Sequence, residues 1–248
     1  MAKRAIITID GPAGAGKSTV GRRLARSLNY LYLDSGSLYR AVAWQARRLG
    51  LEINDPGALG RLLPDFKPGL RTDASGFHLF IDGREVTAEL RTPEVSRAAS
   101  LVDKLPAVRQ WVKGHLRQLA RRGGVVAEGR DQGTVVFPKA GFKFYLDATL
   151  SIRALRRQRD WQGDHDPPSL EEIRCDLAAR DGQDQAREEA PLRVPLGAMV
   201  IDTTDLTVDR VVELCLQEIG AKTGGARLTE SLTGKSAAGE PAGGKITE

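Results

Sequence analysis

Short β-branched runs alternate with segments of four-residue apolar spacing through most of this chain. Ala5-Ile6-Ile7-Thr8-Ile9 is a compact apolar run ending at Asp10 and a glycine-rich turn, the pattern of a parallel strand buried on both faces. Beyond the turn, Val20, Leu24 and Leu28 recur every four residues with Arg22, Arg23 and Arg26 between them, which predicts an amphipathic helix. A second strand–helix pair is predicted from Tyr30-Leu31-Tyr32-Leu33, then Asp34-Ser35-Gly36, then Ser37 to Trp44. Phe77 to Ile81, Asp82-Gly83 and Arg84 to Thr87 read as a β-hairpin with a favourable two-residue turn. Further strands are expected at Gly124 to Glu128, Phe142 to Asp147 and Ala198 to Asp202, with helices around Ile152 and Leu155, over Leu170 to Arg180 and over Val208 to Ile219. Strands alternating with helices predict an α/β protein with a parallel sheet flanked by helices, and the hairpin marks an insertion.

Composition narrows this little further. With 248 residues, 41% hydrophobic and 28% charged, collagen-like and wholly disordered classes are excluded. No apolar run approaches the roughly 20 residues that span a bilayer. MAKRAIITIDG enters a strand with no signal-peptide pattern, so a cytoplasmic protein without a membrane partner is expected. Cys175 and Cys215 lack a CxxC partner and read as buried or inert thiols, and His78, His115 and His165 lack zinc-ligand spacing, so no structural metal is expected. The net charge of +5 raises nucleic-acid binding as an option. The arginines are mixed with acids, however, and their densest group, Arg153, Arg156, Arg157 and Arg159, suits the few phosphates of a nucleotide. Small-molecule phosphates, not nucleic acid, are the expected partners. After Gly220 the composition turns to Gly, Ala, Thr, Ser and Lys, and a disordered tail is expected over 221–248.

The strongest chemical signal is Gly11-Pro12-Ala13-Gly14-Ala15-Gly16-Lys17-Ser18, which fits GxxxxGK[ST] between the first strand and helix. Gly14 and Gly16 allow close backbone approach, so the loop's N–H groups, with Thr19 following, are expected to bind ATP phosphates. Lys17 is expected to reach the β- and γ-phosphates, and Ser18 carries a hydroxyl where a phosphate-bound Mg²⁺ takes a ligand. Arg130 and Asp131 follow the strand at Glu128, and two readings stand there: phosphate and base recognition, or an Arg130–Asp131 ion pair. Arg180, Asp184 and Arg187 share one helix face if that helix continues, either gripping a nucleotide or forming a surface salt-bridge face. Ser35 equally suits an N-cap and Tyr39 a core aromatic.

GPAGAGKST, LDSGSLYR, EGRDQGTVVFP and RDGQDQAREEAPL, in that order, resemble the bacterial cytidylate kinase family over roughly residues 4–220. The resemblance implies a P-loop NTPase-type fold with an enlarged monophosphate-binding insertion at about 60–110 and a helical lid at about 153–187. It implies transfer from ATP to CMP or dCMP with Mg²⁺, in pyrimidine metabolism, and a monomer is expected. Ser35, Tyr39, Arg40, Ser100, Arg109, Arg130, Asp131, Arg180, Asp184 and Arg187 match acceptor-contacting positions. Lys17, Arg130, Arg157 and Arg180 are expected to act on the transferring phosphoryl group. The polar, proline-containing stretch from Trp161 to Pro168 is expected to be the moving lid. Gln132 and Gln183 depart from the resemblance, standing where an apolar and a basic residue respectively are expected. Other small-molecule P-loop kinases, a nucleotide switch and a nucleic-acid-binding module are the competing classes.

Overall fold

Strand β1 (Ile6–Asp10) leads into helix α1 (Lys17–Leu28), and β2 (Leu31–Asp34) into α2 (Ser35–Arg48). Next come α3 (Pro56–Leu62), strands β3 (Gly69–Asp73), β4 (Gly76–Ile81) and β5 (Arg84–Glu85), and helices α4 (Pro93–Val102) and α5 (Pro106–Leu119). Strands β6 (Val125–Gly129) and β7 (Phe142–Asp147), helices α6 (Leu150–Arg159) and α7 (Leu170–Ala186), strand β8 (Met199–Asp202) and helix α8 (Val208–Lys222) follow. This computed structural model describes residues 4–73, 76–159 and 167–223. Of the expected lid from Trp161 to Pro168, residues 161–166 lie outside the described residues. So does the expected tail from residue 224 onward, although Ala221 and Lys222 belong to α8.

Two units divide the chain, one formed by residues 4–31 with 122–223 and the other by Tyr32–Arg121. The five-stranded sheet has the order β2-β6-β1-β7-β8, with β2 straddling the boundary in sequence. β1 pairs in parallel with β6 on one side and β7 on the other, Ile7 opposite Val126 and Phe142. A central parallel strand is covered on both faces, which is why β1 and β6 are apolar without alternation. Ile7, Ile9, Leu24, Val126, Phe144 and Leu146 are almost wholly withdrawn from solvent and form this unit's core. The register sets Asp10 beside Gly129, so the loops after β1 and β6 leave the same edge of the sheet. That edge, the carboxyl end of the strands, is where open α/β sheets place their ligand sites.

The second unit packs α2 against α4 and carries the antiparallel order β3-β4-β5. The hairpin expected at Asp82-Gly83 forms, both residues adopting positive φ (52° and 78°) as a twisted two-residue turn requires. β3 has no counterpart in the sequence reading; it exists through pairing with β4, Leu70 opposite Leu79. Phe66, Trp111 and His115 stack in series, and Tyr32 meets Phe77 edge-on at 5.8 Å. These aromatic contacts fasten the inserted segments to one another. Cys215 is buried in α8, whereas Cys175 is exposed rather than buried, and both thiols are free.

Gly11 shows how tightly the first loop is confined. Its φ is +144°, and a Cβ there would lie 2.0 Å from the Leu146 carbonyl oxygen. Gly11→Ala is expected to cost about 3 kcal/mol or more. In contrast Gly60→Ala, in α3 with open space around the added methyl, should gain about 0.5–1 kcal/mol. Urea unfolding of the two variants checks the contrast.

Candidate functional site

The loop from Gly11 to Gly16 turns β1 into α1 through three glycines at positive φ: Gly11, Gly14 and Gly16 (144°, 78° and 90°). At Gly14 a Cβ would meet that of Arg153 at 2.9 Å, so a side chain is excluded by packing as well as by backbone angle. Gly16 is the N-cap of α1 with no side-chain cap, and the first turn of α1 contains no acid. The helix's positive end is therefore not neutralised by its own residues, a setting suited to phosphate oxygens.

Lys17 opens α1 and folds back into the loop, its Nζ donating to the Pro12 carbonyl oxygen at 2.6 Å. Only 6% of the residue is exposed. Burial, and then the Arg130 guanidinium, lower its pKa to about 7, against the opposing pull of Glu128, Asp10 and Asp184. Ser18 Oγ donates to Glu128 Oε1 at 2.6 Å, so the loop's hydroxyl meets a buried carboxylate at the end of β6. Thr19 follows on α1 and is partly exposed.

Asp10 closes β1 and is fully buried. Its two carboxylate oxygens accept from the backbone N–H groups of Gln132 (2.8 Å) and Gly133 (2.7 Å). Burial raises its pKa to about 7 even though those two donors favour the charged form. The clasp ties the turn after β6 to the start of the phosphate loop. The segment Gln132–Val136 is wound as one π-helical turn, the kind of irregularity often found at functional sites.

Arg130 and the α7 face meet at Asp184. Arg130 Nε lies 2.7 Å from Asp184 Oδ2 and Arg187 Nη2 lies 2.6 Å from Oδ1. Helix α7 does continue past Arg180 to Ala186, which brings Arg180 within electrostatic range of the same carboxylate. Asp184 is 2% exposed. Burial opposes its ionisation, but Arg130 and Arg187 outweigh burial and hold its carboxyl below the usual range. The ion pair considered for Arg130 within GRD is thus made with Asp184 on α7, and Asp131 instead accepts from Gln132 Nε2 at 3.2 Å. Arg130, Arg180, Arg187 and Lys17 are brought together, while the acid between them fixes guanidiniums rather than lying open.

The arginine group of α6 splits in two. Arg153 Nε donates to Ala148 O (2.9 Å), and its Nη1 donates to Ala13 O (3.1 Å) and to Asp181 Oδ2 (2.6 Å). Arg156 donates to the Thr203 carbonyl and hydroxyl, and the one Thr203 hydroxyl proton is shared between Asp147 O at 2.9 Å and Ala15 O at 3.2 Å. Arg153 and Arg156 therefore brace the outer side of the loop. They do not present phosphate-binding forks as their density in the sequence suggested, because loop carbonyls turned outward need donors. Arg157 is half-buried on the same helix and Arg159 exposed at its end.

In the second unit, Asp34 rather than Ser35 is the N-cap of α2, accepting from Ser37 N at 3.1 Å, and Ser35 is the helix's first residue. Arg40 Nη2 bridges Asp34 Oδ2 and Ser37 Oγ, each at 2.8 Å. Burial works against the Asp34 charge, but Arg40 and Ser37 prevail and keep its carboxyl low. Tyr39 is partly exposed on α2. Ser100 Oγ donates to the Ser96 carbonyl within α4, and Arg109 Nη1 donates to Asp103 O at 3.3 Å. Asp10, Glu128, Asp34 and Asp181 were not singled out in the sequence, although an acid closing an apolar strand marks three of them: Asp10, Glu128 and Asp34.

Arg153 and Asp181 are both largely buried. Arg153→Ala is expected to destabilise the protein by roughly 3 kcal/mol. Asp181→Ala should cost less, since Arg153 keeps its two carbonyl acceptors. In urea unfolding the double variant should lose about 1–2 kcal/mol less than the sum of the single losses.

A sequence model of the cytidylate kinase family matches residues 7–221. The cytidylate kinase of Geobacillus kaustophilus is 42% identical, over 90% of this chain and 100% of its own length. The bifunctional pantoate ligase/cytidylate kinase of Acaryochloris marina is 43% identical over 85% of this chain, which spans only 41% of that longer protein. Among solved structures, an uncharacterized protein from Eubacterium ventriosum superimposes with a TM-score of 0.50 at 10% identity, covering 88% of this chain and 99% of its own, a likeness of fold alone. By the family match and by the identity shared along almost its whole length with the Geobacillus protein, this chain belongs to the cytidylate kinase family.

Proposed function

We propose that this protein transfers the γ-phosphoryl group of ATP to CMP or dCMP, forming ADP and CDP or dCDP. The observation that carries the reading is the buried Lys17 at a glycine-lined helix N-terminus, within electrostatic range of Arg130, Glu128 and Asp184. A site so arranged gathers cations and N–H donors at one helix N-terminus, and phosphoryl transfer requires positioning and charge neutralisation above all. We further read the protein as a monomer working in the cytoplasm in pyrimidine nucleotide metabolism. Among the described residues no helix is long and apolar enough to cross a membrane.

The loop N–H groups and Lys17 hold the β- and γ-phosphates. Arg130, Arg157 and Arg180 neutralise charge on the transferring group and its acceptor. Asp131 accepts a hydrogen bond from the cytosine amine, while Arg187 and the Asp184 carboxylate keep the neighbouring guanidiniums in place. Ser35, Tyr39, Arg40, Ser100 and Arg109 supply the acceptor's remaining contacts. A monoester phosphate is largely ionised at neutral pH, its second pKa being about 6, so no residue need act as general base. Mg²⁺, when bound through the ATP phosphates, would neutralise the β- and γ-oxygens. Ser18 and Glu128 are the hard oxygen donors placed to hold it. Among the described residues no group of three or more His, Cys, Asp or Glu could hold a metal ion.

ADP formation from Mg-ATP should be stimulated chiefly by CMP and dCMP, weakly by UMP and not by AMP or shikimate. Lys17→Ala should lower the stimulated rate by roughly a hundredfold or more. ATP turnover indifferent to every acceptor would instead identify a nucleotide switch. The lysine also sets a proton balance. With its pKa lowered to about 7, Lys17 is largely neutral at pH 8, and a bound phosphate restores its charge. ATP binding at pH 8 should therefore take up most of one proton, seen by calorimetry as a binding enthalpy that varies with the buffer's ionisation enthalpy. A binding enthalpy independent of buffer would show that the lysine is already charged.

A further inference from the structure

Asp10 is a buried acid that the phosphate chemistry leaves without a task. It ends β1 opposite Gly129, and its two oxygens accept from consecutive main-chain amides, Oδ1 from Gln132 at 2.8 Å and Oδ2 from Gly133 at 2.7 Å. The carbonyls of the same turn have other partners. Asp131 O accepts from Val135 N (2.9 Å) and Val136 N (3.1 Å), and Gln132 O accepts from Phe137 N (2.6 Å). Those bonds hold the π-helical turn to itself, whereas Asp10 holds it to β1. The approach is close: a Cβ on Gly133 would meet Thr8 Oγ1, on the same strand as Asp10, at 2.9 Å. Two adjacent amides aimed at one place need an acceptor with two oxygens, and a carboxylate is the side-chain group that offers both without a donor. Its charge is buried at a cost, and a neutral side chain would spare the fold that cost. Stability alone therefore does not account for an acid here.

We propose that Asp10 is a positioning residue for the acceptor nucleotide, its two-oxygen grip on the Gln132 and Gly133 amides setting the main chain from which Arg130 and Asp131 reach the acceptor. The inference rests on the reading that Arg130 and Asp131 serve the acceptor. These two residues span the gap between Gly129, held in the sheet, and Gln132, held by Asp10. Without the second anchor the span keeps its attachment to β6 and loses its attachment to β1. The phosphate loop has separate supports: Gly11 packs against Leu146 O, and Ala13 O and Ala15 O take donors from Arg153 and Thr203. Loss of the clasp is therefore felt at the acceptor and not at ATP. The charged groups that act on Asp10 are Asp131, which disfavours its ionisation, and Lys17, which favours it; the Tyr145 hydroxyl on β7 also lies within its electrostatic range.

Asp10→Asn keeps the shape of the side chain but leaves one acceptor oxygen and sets an NH₂ group against the other main-chain N–H. At pH 8 kcat/KM for CMP should fall roughly tenfold, with KM for ATP changed by less than about twofold. The folded state disfavours the Asp10 charge above its pKa of about 7, so removing that charge at pH 8 offsets the lost hydrogen bond and the melting temperature should stay level. A lower melting temperature with both KM values raised alike would show a merely structural role and overturn the inference. The wild-type protein gives a second measurement that does not depend on the variant's folding. From pH 8 to 5, the nuclear magnetic resonance shifts of the Asp10 carboxyl carbon and of the Gln132 and Gly133 amides should follow one titration curve. KM for CMP, corrected for the ionisation of free CMP, should rise along that curve as the proton is taken up. Amides indifferent to the carboxyl's proton overturn the inference. Arg130→Met and Asp131→Asn separate the two layers of the argument. If both leave kcat/KM for CMP unchanged, the acceptor reading of the turn fails and the inference with it. If either lowers it while a folded Asp10→Asn variant does not, that reading stands and the role of Asp10 is overturned.

Discussion

A loop that turns its N–H groups inward to receive an anion must turn carbonyls outward, and those carbonyls need donors of their own. In this protein the requirement is met by the lysine that ends the loop and by two residues from distant parts of the chain. Pro12 O accepts from Lys17, Ala13 O from Arg153 and Ala15 O from Thr203. Much else follows from the last two. Arg153 can reach Ala13 only because α6 runs along the loop, and its remaining valence secures Asp181 on α7. Thr203 lies just beyond β8, where Arg156 fixes it. The loop is thereby joined by polar contacts to α6, α7 and the end of β8, in addition to the sheet that supports β1.

The inner side of the loop is governed by charge. Lys17 and Arg130 lie near enough to repel, and burial withdraws the water that would screen them. Three acids restrain the assembly in different ways. Asp184 makes two ion pairs and stays charged; Glu128 meets the Ser18 hydroxyl; Asp10 spends its oxygens on backbone amides and is raised to a pKa of about 7 by burial. An anion arriving at the loop relieves the repulsion between lysine and arginine. Preorganisation of this kind is what gives an electrostatic site more strength than the same groups have in water.

The strand–loop–helix at the start of the chain was legible because three signals coincide there: an apolar run, glycines at set positions and an amphipathic spacing. The Asp82-Gly83 hairpin was legible for a similar local reason, as two adjacent residues tolerant of positive φ specify the turn. β3 was not, because Gly69-Leu-Arg-Thr-Asp73 has one strong apolar residue and becomes a strand only through β4. The duties of Arg153 and Arg156 were also hidden. A run of arginines shows charge density but not whether a guanidinium meets a phosphate or a carbonyl 140 residues away in sequence. The same distance concealed the partners of Asp10, which lie 122 and 123 residues downstream.

These long-range contacts explain why the acceptor motif reads as it does. In Gly129-Arg130-Asp131-Gln132-Gly133 no two neighbouring side chains serve each other in the way adjacent opposite charges suggest. Arg130 turns to α7, the peptides of Gln132 and Gly133 turn to Asp10, and Gln132 alone turns back to Asp131. The backbone is fixed from one side by β1 and the guanidinium from the other by α7, so the carboxylate between them inherits a defined position from both. A short charged motif acquires chemical direction here because its main chain is clamped first, and its side chains are then distributed among partners that the fold delivers separately.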